Sequence, residues 1–199
     1  MRSELWPWRE NGVCGDERRD IQPHMDPVLN IRESEDSDLA DLERLYPVAF
    51  PDEDLVPLLR QLLAGRSDVT SLVAEGAAGL LGHVAFSECR VEEDSQKVSL
   101  LGPLAVDPDA QRQGVGTALV QEGIRRLRSL GFAKHFVLGD PGYYSRLGFT
   151  AETAVFPPYK LPDEWAGAWQ SKLLQEDAAG LEGTLTVPQP WQDKALWLP

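Results

Sequence analysis

The sequence has few cysteines and no long apolar run. Only Cys14 and Cys89 occur among the 199 residues, and neither stands near another cysteine or a histidine at metal-ligand spacing. A disulfide framework and a metal site are therefore not expected. No stretch approaches the roughly 18 consecutive apolar residues of a membrane helix, and the N-terminus has no apolar run that suits a signal peptide. These absences predict a protein of the reducing cytoplasm.

Positive charge is also scarce. The chain has 19 lysine and arginine residues against 32 aspartate and glutamate residues, a net charge of −13. A surface of that sign repels phosphate backbones and anionic lipid headgroups, so neither nucleic acid nor a membrane is expected as a partner. The rest of the composition, 42% hydrophobic and 26% charged, is ordinary for a globular protein. At roughly 100 to 200 residues per domain, the length predicts one sizeable domain.

The periodic patterns divide the chain into an N-terminal extension and one domain. Residues 1–27 are interrupted by charges, glycines and prolines, which predicts a flexible extension. Met25 offers an alternative start for the functional product, and we expect truncation to Met25 to preserve activity. The predicted domain is 28–199, with its core at 28–152. Residues 153–199 are expected to form a segment on the substrate side together with the last strand.

Apolar spacing within the core predicts a strand, two helices and three antiparallel strands. The predicted bounds are a strand at 28–33, a helix from Leu39, a helix at 52–64, and strands at 70–75, 79–89 and 98–106. Gly102 and Pro103 stand in the middle of the last of these strands. A proline there removes a ladder donor, and a glycine marks a bulge or the close approach of a ligand. We therefore expect that strand to be interrupted.

A glycine-rich loop precedes the next predicted helix, at about 114–130. Gly114 and Gly116 leave the backbone amides at its start accessible, which suits a phosphate group. The loop lacks the lysine of a nucleoside-triphosphate loop, and its spacing does not fit a dinucleotide fingerprint. Tight packing of the helix on the sheet is an alternative reason for these glycines. A strand at 134–140 follows, and the crossover implies that it runs parallel to the strand that ends at Val106.

Two segments of this region resemble a known family. LGPLAVDPDAQRQGVGTAL (101–119) resembles the V-x-P-x-x-[QR]-x-x-G-x-[GA] core of the GNAT superfamily of acetyl-CoA-dependent N-acetyltransferases, and YYSRLGF (143–149) resembles its second cofactor motif. LGDPGYYSRLGF and FPPYKLPDEWAGAWQ are similar to one bacterial branch of predicted acetyltransferases. The resemblance implies an α/β (α+β) GNAT fold, with a mixed central sheet, splayed parallel strands and flanking helices.

The resemblance also implies how acetyl-CoA, the cosubstrate, is held. Its pantetheine arm is expected on the backbone of the splayed strand, and its pyrophosphate on the amides of the next loop. No metal is expected. The implied cofactor-binding residues are Leu104, Ala105, Val106, Gln111, Arg112, Gln113, Gly114, Val115, Gly116 and Tyr144.

The implied reaction is direct attack of a neutral amine on the acetyl thioester, with coenzyme A thiolate as the leaving group. A backbone amide near Leu104 is expected to stabilise the developing oxyanion. Tyr144 matches the tyrosine of the family motif and is the expected general acid toward the thiolate, although Tyr143 and Tyr144 would also serve as aromatic packing. His83 and Glu88 are candidates for the general base. A structural role for His83 is an alternative, and water alone is enough to accept the proton of the amine.

Substrate choice is expected to lie in the C-terminal part. Residues 150–199 contain four tryptophans, and GTLTVP (183–188) predicts a last strand. The segment between is expected to be a long excursion over the sheet, whose tryptophans form an acceptor pocket, fill gaps in the core or make a dimer contact. The expected function is acetyl transfer to a primary amine of a small molecule or peptide, by a monomer or homodimer. A non-catalytic acyl-CoA sensor, and an acyltransferase with another acyl group or a hydroxyl acceptor, remain alternatives.

Overall fold

The computed structural model describes residues 29–77, 79–92, 94–176 and 180–198. The predicted extension at 1–27 and the alternative start at Met25 lie outside these ranges. Within them, helices flank a mixed β-sheet, as the sequence predicts.

The bounds of the main elements follow the predicted order of the core. The helices are α1 (Leu39–Ala49), α2 (Val56–Ala64), α3 (Val115–Ser129) and α4 (Pro141–Tyr144). The strands are β1 (Asn30–Glu33), β2 (Val69–Gly76), β3 (Gly79–Val91), β4 (Val98–Val106), β5 (Lys134–Leu138), β6 (Thr150–Ala151), β7 (Val155–Phe156), β8 (Trp169–Leu173) and β9 (Gly183–Thr186).

The strands form a mixed sheet in the order β1-β2-β3-β4-β5-β8-β6. The strands from β1 to β4 are antiparallel neighbours, and β4 and β5 are parallel. The strand β8 is antiparallel to both β5 and β6, while β9 pairs with the end of β3 and with β7. The predicted antiparallel meander and the predicted parallel crossover are confirmed.

The C-terminal part differs from the expected excursion over the sheet. Trp169–Leu173 enters the sheet as β8, between β5 and β6. The prediction was wrong because β8 does not alternate between apolar and polar residues: Gln170 and Ser171 are polar, yet both are buried. The Gln170 amide satisfies its hydrogen bonding inside the protein by donating to the carbonyl of Gly139 at 3.1 Å.

Each face of the sheet carries its own apolar core. Successive residues of a strand point to opposite faces, so the β4 neighbours Leu100 and Leu101 belong to different cores. One core packs α1, α2, Trp191 and Trp197 against the sheet, on what we call the α1 face. The other packs α3 and the two tyrosines of α4, on what we call the α3 face.

The helix α3 lies close against β3 because Gly123 has no side chain. A Cβ on Gly123 would stand 2.1 Å from the ring of Phe86. Gly82 of β3 allows a similar approach, since its Cβ would lie 3.1 Å from the side chains of Val115 and Leu119 in α3. These contacts hold α3 on the sheet and thereby fix the position of its first turn.

Candidate active site

The parallel strands β4 and β5 part beyond their first paired residues. Their register ends with Leu101 opposite Val137. On its other edge, β4 places Gly102 and Pro103 together opposite the single residue Ala85 of β3. This two-against-one arrangement is a β-bulge, which bends a strand locally. The predicted interruption is therefore confirmed, as a bulge within a strand that continues to its end.

A cleft lies where the two strands part. It receives residues from both faces of the sheet, so it passes through the sheet rather than lying on one side of it. Its walls are residues 100–104 of β4, residues 138–140 at the end of β5 and just after it, Tyr143 and Tyr144 of α4, Phe50 directly after α1, and Trp191, Leu196 and Trp197.

The loop that leads into α3 has a backbone conformation suited to an anion. Gly114 caps the helix with a φ of 87°, and Arg112 has a φ of 61°. Both values lie in the left-handed region, which glycine adopts without a steric penalty. Nothing stands within 4 Å of the position of a Cβ on Gly114, so the surface above it is open. The first N–H groups of α3 have no acceptor within the helix, and they lie at the positive end of its dipole.

The glutamine side chains of this loop turn back onto the backbone. Gln111 donates through its amide to the carbonyl of Val106 at 3.3 Å, which ties the loop to the end of β4. Gln113 donates to the carbonyl of Asp109 at 2.6 Å. Neither glutamine amide donates to a group in the first turn of α3, and residues 112–114 of the loop are exposed to solvent.

Tyr144 is held firmly in the wall of the cleft. The carboxylate of Asp140 accepts the N–H of Gly142 at 2.8 Å and so caps the short helix α4. The ring of Tyr144 packs edge-on against Tyr143 and Phe149, with ring centroids 4.9 Å and 5.5 Å away. Packing on two sides leaves the ring little freedom to turn.

A sequence profile described as "Acetyltransferase (GNAT) family" matches residues 37–149, which is more than half of the chain. The chain belongs to the GNAT family of acetyltransferases. This confirms the resemblance drawn from the loop before α3 and from the tyrosine motif, and the mixed sheet with a splayed parallel pair is the GNAT fold.

Named relatives agree with this assignment. The chain is 34% identical over 167 residues to the protein named "Uncharacterized N-acetyltransferase YjhQ" of Escherichia coli K12, covering 80% of this chain and 92% of that one. It is similar to the crystal structure of the Escherichia coli GNAT family N-acetyltransferase YhbS in complex with CoA. The TM-score is 0.75 and the identity 27%, over 86% of this chain and 95% of that one. A Brucella melitensis GNAT family acetyltransferase in complex with acetyl-CoA has a TM-score of 0.67 and 28% identity, over 81% and 97% of the two chains.

His83 lies in the interior of this GNAT domain and not among the residues that line the cleft. The Tyr46 hydroxyl shares a hydrogen bond of 2.8 Å with Nδ1 of His83, and the Ser71 hydroxyl shares one of 2.8 Å with Nε2. Burial lowers the pKa of His83 to about 3. Both ring nitrogens are thus engaged in tying α1 and β2 together, as expected of a structural histidine, and its role as a base stays a prediction.

Glu88 lies beside a different cleft of the GNAT domain, one that Thr70 and Lys97 also line. Its carboxylate accepts hydrogen bonds from Arg90 at 2.7 Å and from Lys97 at 2.9 Å. The structure therefore does not bring Glu88 and Tyr144 into one cleft. Its role as a base also stays a prediction.

Phe50 and Leu196 of the cleft were not predicted, whereas Trp191 and Trp197 are two of the four C-terminal tryptophans expected to form an acceptor pocket, fill the core or make a dimer contact. The indole N–H of Trp191 donates to the Ser87 hydroxyl at 2.8 Å, and that of Trp197 donates to the carbonyl of Trp191 at 2.8 Å. These two tryptophans therefore fill the core and line the cleft at once. The sequence signalled only that the C-terminal part is rich in tryptophan, since contacts between residue 50 and residues 191–197 depend on the tertiary fold.

Among the described residues, no helix is long and apolar enough to span a membrane. Within the same ranges, histidine, cysteine, aspartate and glutamate form no group of three or more that could hold a metal ion. Cys89 is buried with a reduced thiol, and burial raises the pKa of that thiol to about 12, which makes it unreactive.

Proposed function

We propose that this GNAT protein transfers the acetyl group of acetyl-CoA to a primary amine of a small molecule or protein, by direct attack in a ternary complex. The observation that carries the proposal is the cleft through the sheet, which has residues 100–104 of β4 and Tyr144 on its wall. The similarity to GNAT structures solved with CoA and with acetyl-CoA supports it. The setting that we expect for this reaction is the cytoplasm.

The residues present fit acetyl-CoA at two places. The loop at residues 111–116 offers the N–H groups of a helix start, without a side chain at Gly114, to the pyrophosphate. The edge of β4 beyond Leu101 no longer pairs with β5. The backbone of Leu104, Ala105 and Val106 is therefore available to the pantetheine arm, and backbone hydrogen bonds to that arm would continue the sheet ladder.

In this reaction the C–S bond of the acetyl thioester breaks and a C–N bond to the amine forms, and two tasks fall to the chain. A backbone N–H of β4 near Leu104 donates to the carbonyl oxygen as negative charge develops there. Tyr144 donates its phenol proton toward the departing sulfur and recovers a proton from solvent. The amine proton passes to water, because neither His83 nor Glu88 lies on the wall of this cleft.

The test is the release of thiol from acetyl-CoA in the presence of primary amines, with the acetylated amine measured by mass spectrometry. We expect one acetylated amine for each thiol released, and no release above the hydrolysis rate when the amine is omitted. Initial rates at varied amine and acetyl-CoA should give intersecting double-reciprocal lines, whereas parallel lines would indicate a covalent acetyl-enzyme. If CoA raises the melting temperature but no amine releases thiol, the protein is an acyl-CoA-binding module instead.

A further inference from the structure

The cleft has two halves that lie on opposite faces of the sheet. Leu104 and Tyr144 belong to the core of the α3 face, and so does Val115 of the proposed pyrophosphate loop. Phe50, Trp191 and Trp197 belong to the core of the α1 face, and Leu196 packs against it. Since the proposed pyrophosphate loop occupies the α3 face, the half on the α1 face is left for the second substrate. We call it the aromatic half.

The aromatic half presents almost no charge. Asp140 is the one charged side chain among the described residues that line the cleft. Its carboxylate already accepts the N–H of Gly142 at 2.8 Å, so it is committed to capping α4. If the acceptor carried an ammonium group besides the reacting amine, that group would lose its hydration in this half without gaining a carboxylate partner, which is costly.

We propose that the aromatic half binds the apolar body of a primary monoamine, with alkyl or arylalkyl amines as the acceptor class and polyamines and aminoglycosides disfavoured. This inference rests on the proposed function, since it names the acceptor of the same reaction. Burial of apolar surface against three aromatic rings stabilises such a substrate in proportion to its area. The acidic exterior of the protein attracts the amine as a cation, and the aromatic half of the cleft favours substrates with an apolar body.

The same surroundings account for the activation of the amine. Transfer of an ammonium group into an apolar cleft favours its neutral form, because desolvation disfavours the charged one. The neutral amine is the nucleophile in direct attack. When the apolar body of the substrate enters the aromatic half, the amine therefore tends to lose its proton to water before the cleft encloses it. No dedicated base is needed for this step.

The test is a homologous series of amines at saturating acetyl-CoA, from methylamine to hexylamine, together with 2-phenylethylamine and spermidine. The alkylamines share nearly the same amine pKa, so differences in kcat/KM report burial of the chain. We expect kcat/KM to rise about fourfold for each added methylene, which corresponds to about 0.8 kcal/mol. The kcat/KM for spermidine should be at least about tenfold lower than that for hexylamine, because the further ammonium groups of spermidine are desolvated.

A matched pair of variants tests the location. Leu196→Glu places a carboxylate in the partly buried wall of the aromatic half, and Leu173→Glu places one on β8, where the side chain is 44% exposed and outside the cleft. We expect Leu196→Glu to flatten the alkylamine series and to narrow the gap to spermidine, while Leu173→Glu keeps the gradient. If Leu196→Glu does not fold, the series on the unaltered protein still decides the proposal.

Each other outcome has a distinct meaning. Thiol release with a flat series, or with spermidine ahead of hexylamine, would overturn the inference and leave the acetyltransferase proposal standing. A rate that rises with acyl length from acetyl-CoA to hexanoyl-CoA, but not with amine length, would overturn it too, by assigning the aromatic half to the acyl chain. No thiol release with any amine would overturn the proposed function itself.

Discussion

Tyr144 lies against Gly139 so closely that a Cβ on Gly139 would stand 2.3 Å from Cε2 of the tyrosine ring. The residue after β5 must therefore lack a side chain for the ring to occupy the wall of the cleft. The backbone carbonyl of Gly139 is also engaged, because it accepts the side-chain amide of Gln170 at 3.1 Å. The end of β5, the start of β8 and the proposed catalytic tyrosine are thus fitted to one another.

Gly139→Ala is expected to displace the Tyr144 ring and lower kcat by about tenfold or more, since small misplacements of a catalytic group are costly. Its matched control is Gly167→Ala, because nothing stands within 4 Å of a Cβ on Gly167. Steady-state kinetics and melting temperatures of both variants make the comparison. Equal kcat for the two variants would show that the position of the ring is unimportant for turnover.

Tyr144→Phe removes the phenol proton and keeps the ring packing. We expect kcat to fall by about tenfold to a hundredfold, at the lower end of what general-acid catalysis contributes, with little change in melting temperature. Tyr159→Phe is the control: its hydroxyl donates to the carbonyl of Gln192 at 2.5 Å, outside the cleft. A kcat for Tyr144→Phe that matches the unaltered protein across pH would remove Tyr144 from the mechanism.

The two ends of α3 provide a controlled test of the phosphate loop. Gly114 and Gly131 have φ values of 87° and 78°, and a Cβ on either would meet nothing within 4 Å. Alanine at either position costs roughly 1 kcal/mol because of the left-handed backbone. Gly114→Ala should in addition raise the KM for acetyl-CoA severalfold, whereas Gly131→Ala should leave it unchanged. A similar KM in both variants would count against the loop as the phosphate site.

Two buried histidines predict a loss of stability in mild acid. Burial lowers the pKa of His83 and of His135 to about 3, while an unfolded histidine titrates near about 6.5. The unfolded state therefore binds protons first, so this stabilisation is complete above about pH 6.5 and is lost as pH falls toward 3.

Urea unfolding between pH 7 and pH 5 measures this effect. As pH falls, each histidine should lower the free energy of unfolding by up to about 1.4 kcal/mol per pH unit. His83→Asn should remove the contribution of His83 from this pH dependence and leave that of His135. In the folded protein, NMR signals of both imidazoles should not titrate between pH 7 and pH 5. Titration of either one near pH 6 would contradict the prediction.

Much of the fold was predictable because local patterns and tertiary burial agree. The apolar runs of the meander strands and the helical spacing of apolar residues in α3 mark the surfaces that the two cores bury. The strand β8 was missed because Gln170 and Ser171 are buried and polar, so their hydrogen bonds, and not their apolarity, place them in the sheet.

The site was predictable only in part, for a similar reason. Local motifs identify two parts of the site: glycines at a helix start identify the loop before α3, and a tyrosine after a capping aspartate identifies Tyr144. Phe50 and Trp191 enter the cleft through packing between distant parts of the chain. His83 looked reactive by residue type, yet its partners Tyr46 and Ser71 come from two other elements.

The profile of the GNAT family ends at residue 149, whereas Trp191, Leu196 and Trp197 all come after it. Three of the four residues named for the aromatic half thus lie in 191–197, a stretch that contains none of the residues proposed to hold acetyl-CoA. The indole N–H of Trp191 joins its 3-10 turn (Gln189–Trp191) to Ser87 of β3, and the indole N–H of Trp197 joins the next turn (Lys194–Trp197) to the carbonyl of Trp191. We therefore expect that exchanging that stretch between related chains changes which amine is accepted and leaves the affinity for acetyl-CoA unchanged. Amine selectivity and acetyl-transfer chemistry can then diverge independently within one molecule.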